Sequence, residues 1–311
     1  MAMTLEEFKD EWLSDVPYIT AHTSGSTGQP KEIRLLKADM RLSAIATNRR
    51  FGIDSSSVLA IPLSMDYIAG KMMAVRAFEA GCRLMVLPVS NRLEICGHVD
   101  LLAIVPSQSA SLIADCDIEN IGNVIVGGAK ISAADRAMLA DAPFNTYCTY
   151  GMTETCSHVA LADIRDSSLT YRAMPGITFS TDERDCLCIS SQTMSFGSLQ
   201  TNDVVELIDR ESFRWIGRAD NVINSGGIKI MAEKLEELLS VAIESPFYVT
   251  AYPHSKWGEV PVVVVESDSS ALPRLESAID SLNLGIRRPQ RIVCVNCLPR
   301  TSNGKIRRFR L

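Results

Sequence analysis

Hydrophobic positions along the chain fall into short apolar runs separated by stretches of helical spacing. Residues 1–16 read as an entry helix, with Thr4 and Glu7 spaced as a capping box. Tyr18-Ile19-Thr20-Ala21 reads as a short strand, and 32–36 alternates as a second strand would. Met40, Ala44, Ile45 and Phe51 give 37–51 a helical stripe. An apolar strand is expected at 57–62. A helix with small residues in its first turns follows at 65–80 and is closed by Gly81. Further strands are expected at 82–88 and 100–105, and Pro106 opens the next helix. A strand at 123–126 ends in Gly127-Gly128, Ser132 caps a helix to 140, and a strand follows at 145–149. Strands alternating with helices predict βαβ units and a parallel, doubly wound α/β sheet, whose ligands sit at the carboxyl ends of its strands.

From Thr170 to Trp215 the pattern changes to short alternating strands punctuated by turns, a small β-rich portion at about 170–216. Polar and glycine-rich residues from Gly217 to Gly227 mark the best domain boundary. Beyond it come a helix at 232–243, strands at 248–253 and 260–266, a helix at 272–282, a strand at 291–297 and a closing loop at 299–305. The expected division is a large domain over 1–219 and a small α+β domain over 220–311.

The chain has 311 residues, 46% of them apolar and 22% charged, which suits a protein with a real core. Its net charge of −6 argues against nucleic-acid or membrane-surface partners, and no apolar run reaches the ~20 residues of a membrane span. The nine cysteines are scattered, many in apolar runs, as buried free thiols in a reducing cytoplasm would be. Cys294 and Cys297 have metal or redox spacing but no matching pair nearby.

Candidate chemistry begins at His22–Lys31, where two glycines and four hydroxyls end on Pro-Lys. Exposed backbone N–H groups, the hydroxyls of Thr23, Ser24, Ser26 and Thr27 and the charge of Lys31 suit a triphosphate; an ordinary flexible turn is the alternative. Segments 127–130 and 150–155 also lie at predicted strand ends, which strengthens all three.

Taken together, five segments in order resemble the adenylate-forming superfamily of acyl-CoA synthetases and adenylation domains. They are Thr-Ser-Gly-Ser-Thr-Gly-Gln-Pro-Lys (23–31), Tyr-Gly-Met-Thr-Glu-Thr (150–155), Thr-Asn-Asp (201–203), Gly-Arg-Ala-Asp-Asn-Val-Ile-Asn-Ser-Gly-Gly-Ile-Lys-Ile (217–230) and Pro-Arg-Thr-Ser-Asn-Gly-Lys (299–305). The resemblance runs from about residue 18 onward. Only 22 residues precede the first motif, so a truncated large domain and a mobile small one are expected.

The resemblance implies ATP, Mg²⁺ and coenzyme A acting on a small carboxylic acid, in the cytoplasm. Assembly as a homodimer is left open. Thr23, Ser24, Gly25, Ser26, Thr27, Gly28 and Lys31 are then expected on the β- and γ-phosphates. Thr153 falls on the α-phosphate and Glu154 on the metal. Gly127, Gly128, Ala129, Tyr150 and Gly151 fall around the adenine, and Asp203 with Arg218 on the ribose. Lys305 is the expected catalytic lysine of the first half-reaction. Asp220 is the expected hinge, with Gly226, Gly227 and Lys229 on the CoA side. Taken alone, Glu154 also reads as a helix N-terminal carboxylate, Asp203 as a turn residue and Lys305 as a tail lysine. The terminal Arg307, Arg308 and Arg310 read as solvated or surface charges.

Within the superfamily, 149–158 and 66–73 resemble the o-succinylbenzoate–CoA ligases of menaquinone biosynthesis. Such an acid has a second, non-reacting carboxylate that needs a cation or well-placed donors. Ala69, Met72, Met73 and Arg76 share one helical face. Arg76 is one candidate and Lys71 its rival, with a solvated helix charge the alternative for either; Tyr67, Ser157 and His158 complete the candidate pocket. Another aryl- or acyl-CoA ligase, a carrier-loading adenylation enzyme and a non-catalytic nucleotide-binding scaffold remain alternatives.

Overall fold

The computed structural model describes residues 3–22, 32–300 and 306–311. Contacts divide the chain into two compact units. The first comprises Met1–Ser180, Ile189–Leu199 and Leu207–Arg214; the second comprises Thr181–Cys188, Gln200–Glu206 and Trp215–Leu311.

In the first unit, helix α1 (Leu5–Leu13) starts at a complete capping box in which Thr4 and Glu7 satisfy each other's backbone N–H groups. Its Phe8 and Trp12 are buried. Strands β1 (Tyr18–His22) and β2 (Glu32–Leu36) pair antiparallel, with His22 opposite Glu32. Helix α2 (Lys37–Phe51) ends at Gly52 in the left-handed conformation. Strand β3 (Val58–Ile61), helix α3 (Ile68–Ala80) and strand β4 (Arg83–Val86) form the first βαβ unit. The helix begins at Ile68 and not at 65, because Ser64 and Asp66 bond to each other in a turn and Tyr67 N–H donates to the Ser64 carbonyl.

Strand β5 (Val99–Ile104) pairs with the other side of β3, so the strand order reverses there. The sheet then runs through β6 (Ile121–Val126) and β7 (Asn145–Gly151), all parallel, with α4 (Ser109–Asp115) and α5 (Ala133–Ala140) between them. Ala60, Leu102, Ile104, Val124, Val126 and Cys148 pack with Leu112 and Leu139 in one buried core. Their strand neighbours Leu59, Leu101 and Ile125 are equally buried, and covering both faces is what makes these strands continuous apolar runs. This is the α/β, doubly wound architecture that the alternation predicted.

Antiparallel strands extend the sheet: β8 (His158–Asp163) on β7, then β9 (Thr170–Ala173) on β8. Four more continue the strand order, β10 (Ile177–Thr181), β11 (Cys186–Ser191), β12 (Ser198–Asp209) and β13 (Ser212–Arg218), with β13 beside β9. Strand β8 is absent from the sequence reading, which passed from 149 to 170.

In the second unit, β14 (Val222–Ser225) and β15 (Ile228–Met231) form a hairpin followed by α6 (Ala232–Leu239). Strands β16 (Phe247–His254) and β17 (Gly258–Glu266) pair antiparallel; after α7 (Leu272–Ser281), β18 (Arg291–Val295) adds parallel to β17. Leu235, Leu239, Leu275 and Ile279 of the helices bury against Ile223, Val249, Val263 and Val265. The C-terminal tail is tied to the second unit, with Arg307 and Arg310 exposed as surface charges and Arg308 half-buried. Arg300 bridges to Ile306, Thr250 Oγ1 donates to the Phe309 carbonyl, Arg308 pairs with Glu233 and Glu236, and Arg310 with Glu259.

Candidate active site

Of the expected site residues, Thr23, Ser24, Gly25, Ser26, Thr27, Gly28, Lys31 and Lys305 lie outside the described residues. Strand β2, which begins one residue past Lys31, packs beside the short helical turn Thr153–Thr155. That turn sits at the carboxyl end of β7, where a doubly wound sheet exposes its ligand sites.

The turn is folded tightly by its own residues. Thr155, fully buried, accepts from Met152 N–H at 3.0 Å, and its hydroxyl lies within bonding distance of the carbonyls of Met152 and Ser157. Cys156 takes a left-handed φ of 62°, which a non-glycine residue holds only when its surroundings impose it. Its buried thiol is pushed up to about 12 by desolvation. A Cβ on Gly151 would lie 2.2 Å from the Ser157 carbonyl oxygen, so only glycine lets the chain fold back there. The register of β7 on β8 shifts at Tyr150/Gly151, an irregularity of the kind that re-aims side chains beside sites. Thr153 and Glu154 are half-buried on this turn. Tyr150 packs edge-on against Tyr171 and Phe213, with centroids at 5.9 and 5.0 Å.

The fold-back brings Ser157 and His158 to Arg76 of α3. Gly70–Ala77 of that helix are buried in succession, and Arg76 is 2% exposed. The guanidinium donates from Nη2 to Ser157 Oγ and from Nη1 to Met73 Sδ at 3.3 Å, while Nε finds no partner. Among the described residues no carboxylate pairs with it. Burial alone pushes its pKa down to about 9, so it stays a cation at neutral pH. His158 lies between Ser157 Oγ, 3.4 Å from Nδ1, and Thr47 Oγ1, 3.2 Å from Nε2. Burial, then the Arg76 charge, holds its pKa well below the usual histidine range. Asn48 fixes α3 from α2 by donating to the Arg76 carbonyl at 2.9 Å.

Lys71 does not join this cluster. Its ammonium turns to α1, 3.7 Å from Glu11 Oε2 and 4.9 Å from the Phe8 ring centre. Met72 is buried, Tyr67 caps α3 half-buried, and Ala69 is exposed. Gly127 is half-buried, with Gly128 and Ala129 exposed at the end of β6; a Cβ on Gly127 would lie 2.3 Å from Thr149 Oγ1.

In the second unit, Asp203 accepts from Trp215 Nε1 at 3.2 Å and lies 3.6 Å from Arg218 Nη1. Arg218 also binds Asp220 at 2.8 Å. Gly226 and Gly227 form the β14–β15 turn, and Lys229 stands exposed opposite Asn224.

The sequence reading missed Thr47, Trp215 and Glu233. Thr47 had a signal: with Asn48 it falls on the apolar stripe Met40, Ala44, Phe51 of α2, and a polar residue there needs a buried partner. Glu233, 2% exposed, accepts from Asn221 Nδ2 at 2.5 Å and from Arg218 N–H at 3.4 Å.

The pieces fit a nucleotide and a metal. A half-buried carboxylate at Glu154 with no partner among the described residues suits a hard cation, and the bare backbone at 127–129 suits a flat ring. The AMP-binding enzyme family model matches residues 6–181. The 2-succinylbenzoate–CoA ligase of Lactococcus lactis is 22% identical over 98% of this chain and 72% of its own length. An acyl-CoA synthetase (AMP-forming)/AMP-acid ligase II-like protein from Dyadobacter fermentans is 34% identical and superposes with a TM-score of 0.64, over 96% of this chain and 90% of that one. The o-succinylbenzoate CoA synthetase of Bacillus subtilis, in complex with its acyl-adenylate intermediate, is 21% identical with a TM-score of 0.79, over 93% of this chain and 67% of that one.

Proposed function

The chain belongs to the AMP-binding enzyme family, and from that premise we propose that it is an ATP-dependent acid–CoA ligase whose acid is o-succinylbenzoate. The carboxylate attacks the α-phosphate of ATP, forming an acyl-adenylate and releasing pyrophosphate. The CoA thiolate then attacks the acyl carbon, forming the thioester and releasing AMP. A carboxylate is a poor electrophile, so the mixed anhydride is what makes thioester formation feasible. Positioning and charge neutralisation carry most of the first step.

The observation that carries the acid's identity is Arg76, a buried cation with an unpartnered Nε and no carboxylate among the described residues. A dicarboxylate supplies the missing anion through the group that does not react. Met72 and Met73 provide apolar wall beside it, as an aromatic ring needs. The names of relatives such as the Lactococcus enzyme support the same acid.

In this reading Thr23, Ser24, Ser26, Thr27 and Lys31 hold the β- and γ-phosphates. Thr153 donates to the α-phosphate. Asp203, steadied by Trp215 and Arg218, accepts from the ribose hydroxyls. Glu154 holds Mg²⁺, which when bound offsets phosphate charge. Lys305 bridges the attacking carboxylate and the α-phosphate. Asp220 is the hinge, and Gly226, Gly227 and Lys229 lie on the CoA side. The reading takes in a cytoplasmic location, consistent with nine free thiols, and assembly as a homodimer.

Pyrophosphate release with ATP and CoA over a panel of aromatic and aliphatic acids tests the proposal. Turnover greatest with o-succinylbenzoate is expected; preference for benzoate or acetate, or no turnover with any acid, overturns it. Lys305→Ala should abolish adenylate formation and spare thioester formation from supplied acyl-adenylate. Equal loss of both half-reactions overturns the division of labour assigned to that lysine.

A further inference from the structure

The Arg76 cluster contains more order than anion binding alone requires. Arginine has five N–H donors and no acceptor, so toward Arg76 the Ser157 hydroxyl can only accept. Its own proton is then free for its other neighbour, His158 Nδ1 at 3.4 Å. A neutral imidazole that accepts at Nδ1 carries its proton on Nε2. That N–H points to Thr47 Oγ1 at 3.2 Å, and the Thr47 proton goes to the Ser43 carbonyl at 3.0 Å. The four links from Arg76 Nη2 through Ser157, His158 and Thr47 to the Ser43 carbonyl then run in one direction, from α3 through the fold-back to α2.

We propose that His158 is a positioning residue, locked by Thr47 as the neutral Nε2–H tautomer so that Ser157 holds the Arg76 guanidinium with its Nε edge free for the substrate's non-reacting carboxylate. The inference rests on the acid-pocket reading above. A protonated His158 would donate at Nδ1, leave the Ser157 proton without an acceptor in the cluster, and set two cations side by side in a buried site. Burial and the Arg76 charge both disfavour that state. The alternative Nδ1–H tautomer would have Ser157 Oγ accept on both lone pairs and leave the hydroxyl proton without an acceptor in the cluster. The hydrogen bonds through Ser157, His158 and Thr47 hold the guanidinium in one geometry while its Nε stays unpartnered, and a guanidinium fixed before the acid arrives loses less freedom on binding it.

The chain has four histidines, so a spectrum of ¹⁵N-histidine-labelled protein is readily assigned by loss of one signal in His158→Gln. At pH 7 His158 should show a bare Nδ1 and a protonated Nε2. An Nδ1–H tautomer or an imidazolium overturns the proposal. Thr47→Val removes the hydroxyl at nearly constant shape. It should lower kcat/KM for o-succinylbenzoate about three- to tenfold more than for the analogue lacking the non-reacting carboxylate, the worth of one hydrogen bond. Thr47→Ser should restore the ratio. Equal losses for both acids would mean a structural role only and overturn the proposal. A dicarboxylate preference unchanged by Arg76→Met overturns the acid-pocket reading instead, while the tautomer is read independently of it.

Discussion

Arg76 on α3 donates to Ser157 across 81 residues of sequence, and no carboxylate among the described residues joins them. A buried cation is costly unless an anion accompanies it, and single-sided desolvation of this kind recurs at functional sites. The rival cation, Lys71, has Glu11 and the Phe8 ring already in place. The two basic residues of one helix are therefore in opposite states, Lys71 beside a carboxylate and Arg76 with none among the described residues.

The first consequence is a separation of stability from function at Arg76. Arg76→Met removes the charge and keeps much of the volume. KM for the dicarboxylate should rise about ten- to a hundredfold, the loss of one charge-assisted hydrogen bond. Stability should hold or rise by up to about 3 kcal/mol, because no buried charge then remains to be solvated. Steady-state kinetics beside urea titration checks both; a variant less stable than wild type would mean that a hidden anion already balances Arg76.

His158 makes a prediction about pH. Its pKa in the folded protein lies well below the ordinary value of 6.5, first through burial and then through Arg76. As pH falls below about 6.5 the unfolded chain takes up this proton and the folded chain does not. The unfolded state then binds more protons, and stability is lost with falling pH at up to about 1.4 kcal/mol per unit. His158→Gln should flatten that part of the profile between pH 6.5 and 5. Parallel slopes for wild type and variant, measured by denaturant unfolding, would contradict it.

Lys71 is predicted to be structural. Lys71→Met breaks its tie to Glu11, which is partly exposed and can rehydrate, so the cost should be about 1–2 kcal/mol. The ratio of kcat/KM for the dicarboxylate over the analogue without the second carboxylate should change less than about twofold, against the tenfold or more expected at Arg76. Loss of that ratio in Lys71→Met would return Lys71 to the acid pocket.

Legibility in the sequence followed the range of the forces involved. The stripe of α2 predicted 37–51 and the helix spans Lys37–Phe51, because stripe and glycine cap are local signals. The parallel strands were readable as apolar runs for the same reason. The start of α3 was misread by three residues, since the Ser64–Asp66 turn competes through side-chain bonds that periodicity does not register. Strand β8 was missed because its identity depends on pairing with β7. Motifs located Arg76, Ser157 and His158 as candidates. The proposed preference for Arg76 over Lys71 rests on what each cation already touches, which the sequence does not show. Thr47 lies 111 residues from His158, and no local pattern joins them.

The bound tail supplies the last prediction. Arg308 lies 2.7 Å from Glu236 Oε1 and 3.6 Å from Glu233 Oε1, and donates from Nη2 to Glu236 Oε2 at 2.8 Å. The Glu233 and Glu236 side chains are only 3% and 13% exposed. Burial raises the pKa of Glu236, and Arg308 is the main group opposing that rise. Arg308→Gln removes the cation closest to Glu236 and should cost the second unit about 2–4 kcal/mol at pH 7, below the full value for a buried pair because Arg308 is partly exposed. In the variant the pKa of Glu236 rises further above its unfolded value of 4.5. Between those two values the folded state binds more protons than the unfolded one, so stability increases as pH falls. The deficit against wild type should therefore shrink from pH 7 to pH 5, and Glu236→Gln added to Arg308→Gln should recover part of it at pH 7. Denaturant unfolding of the three proteins at both pH values checks this; a deficit independent of pH and untouched by the second substitution would mean that Arg308 acts through packing of its stem and not through its charge.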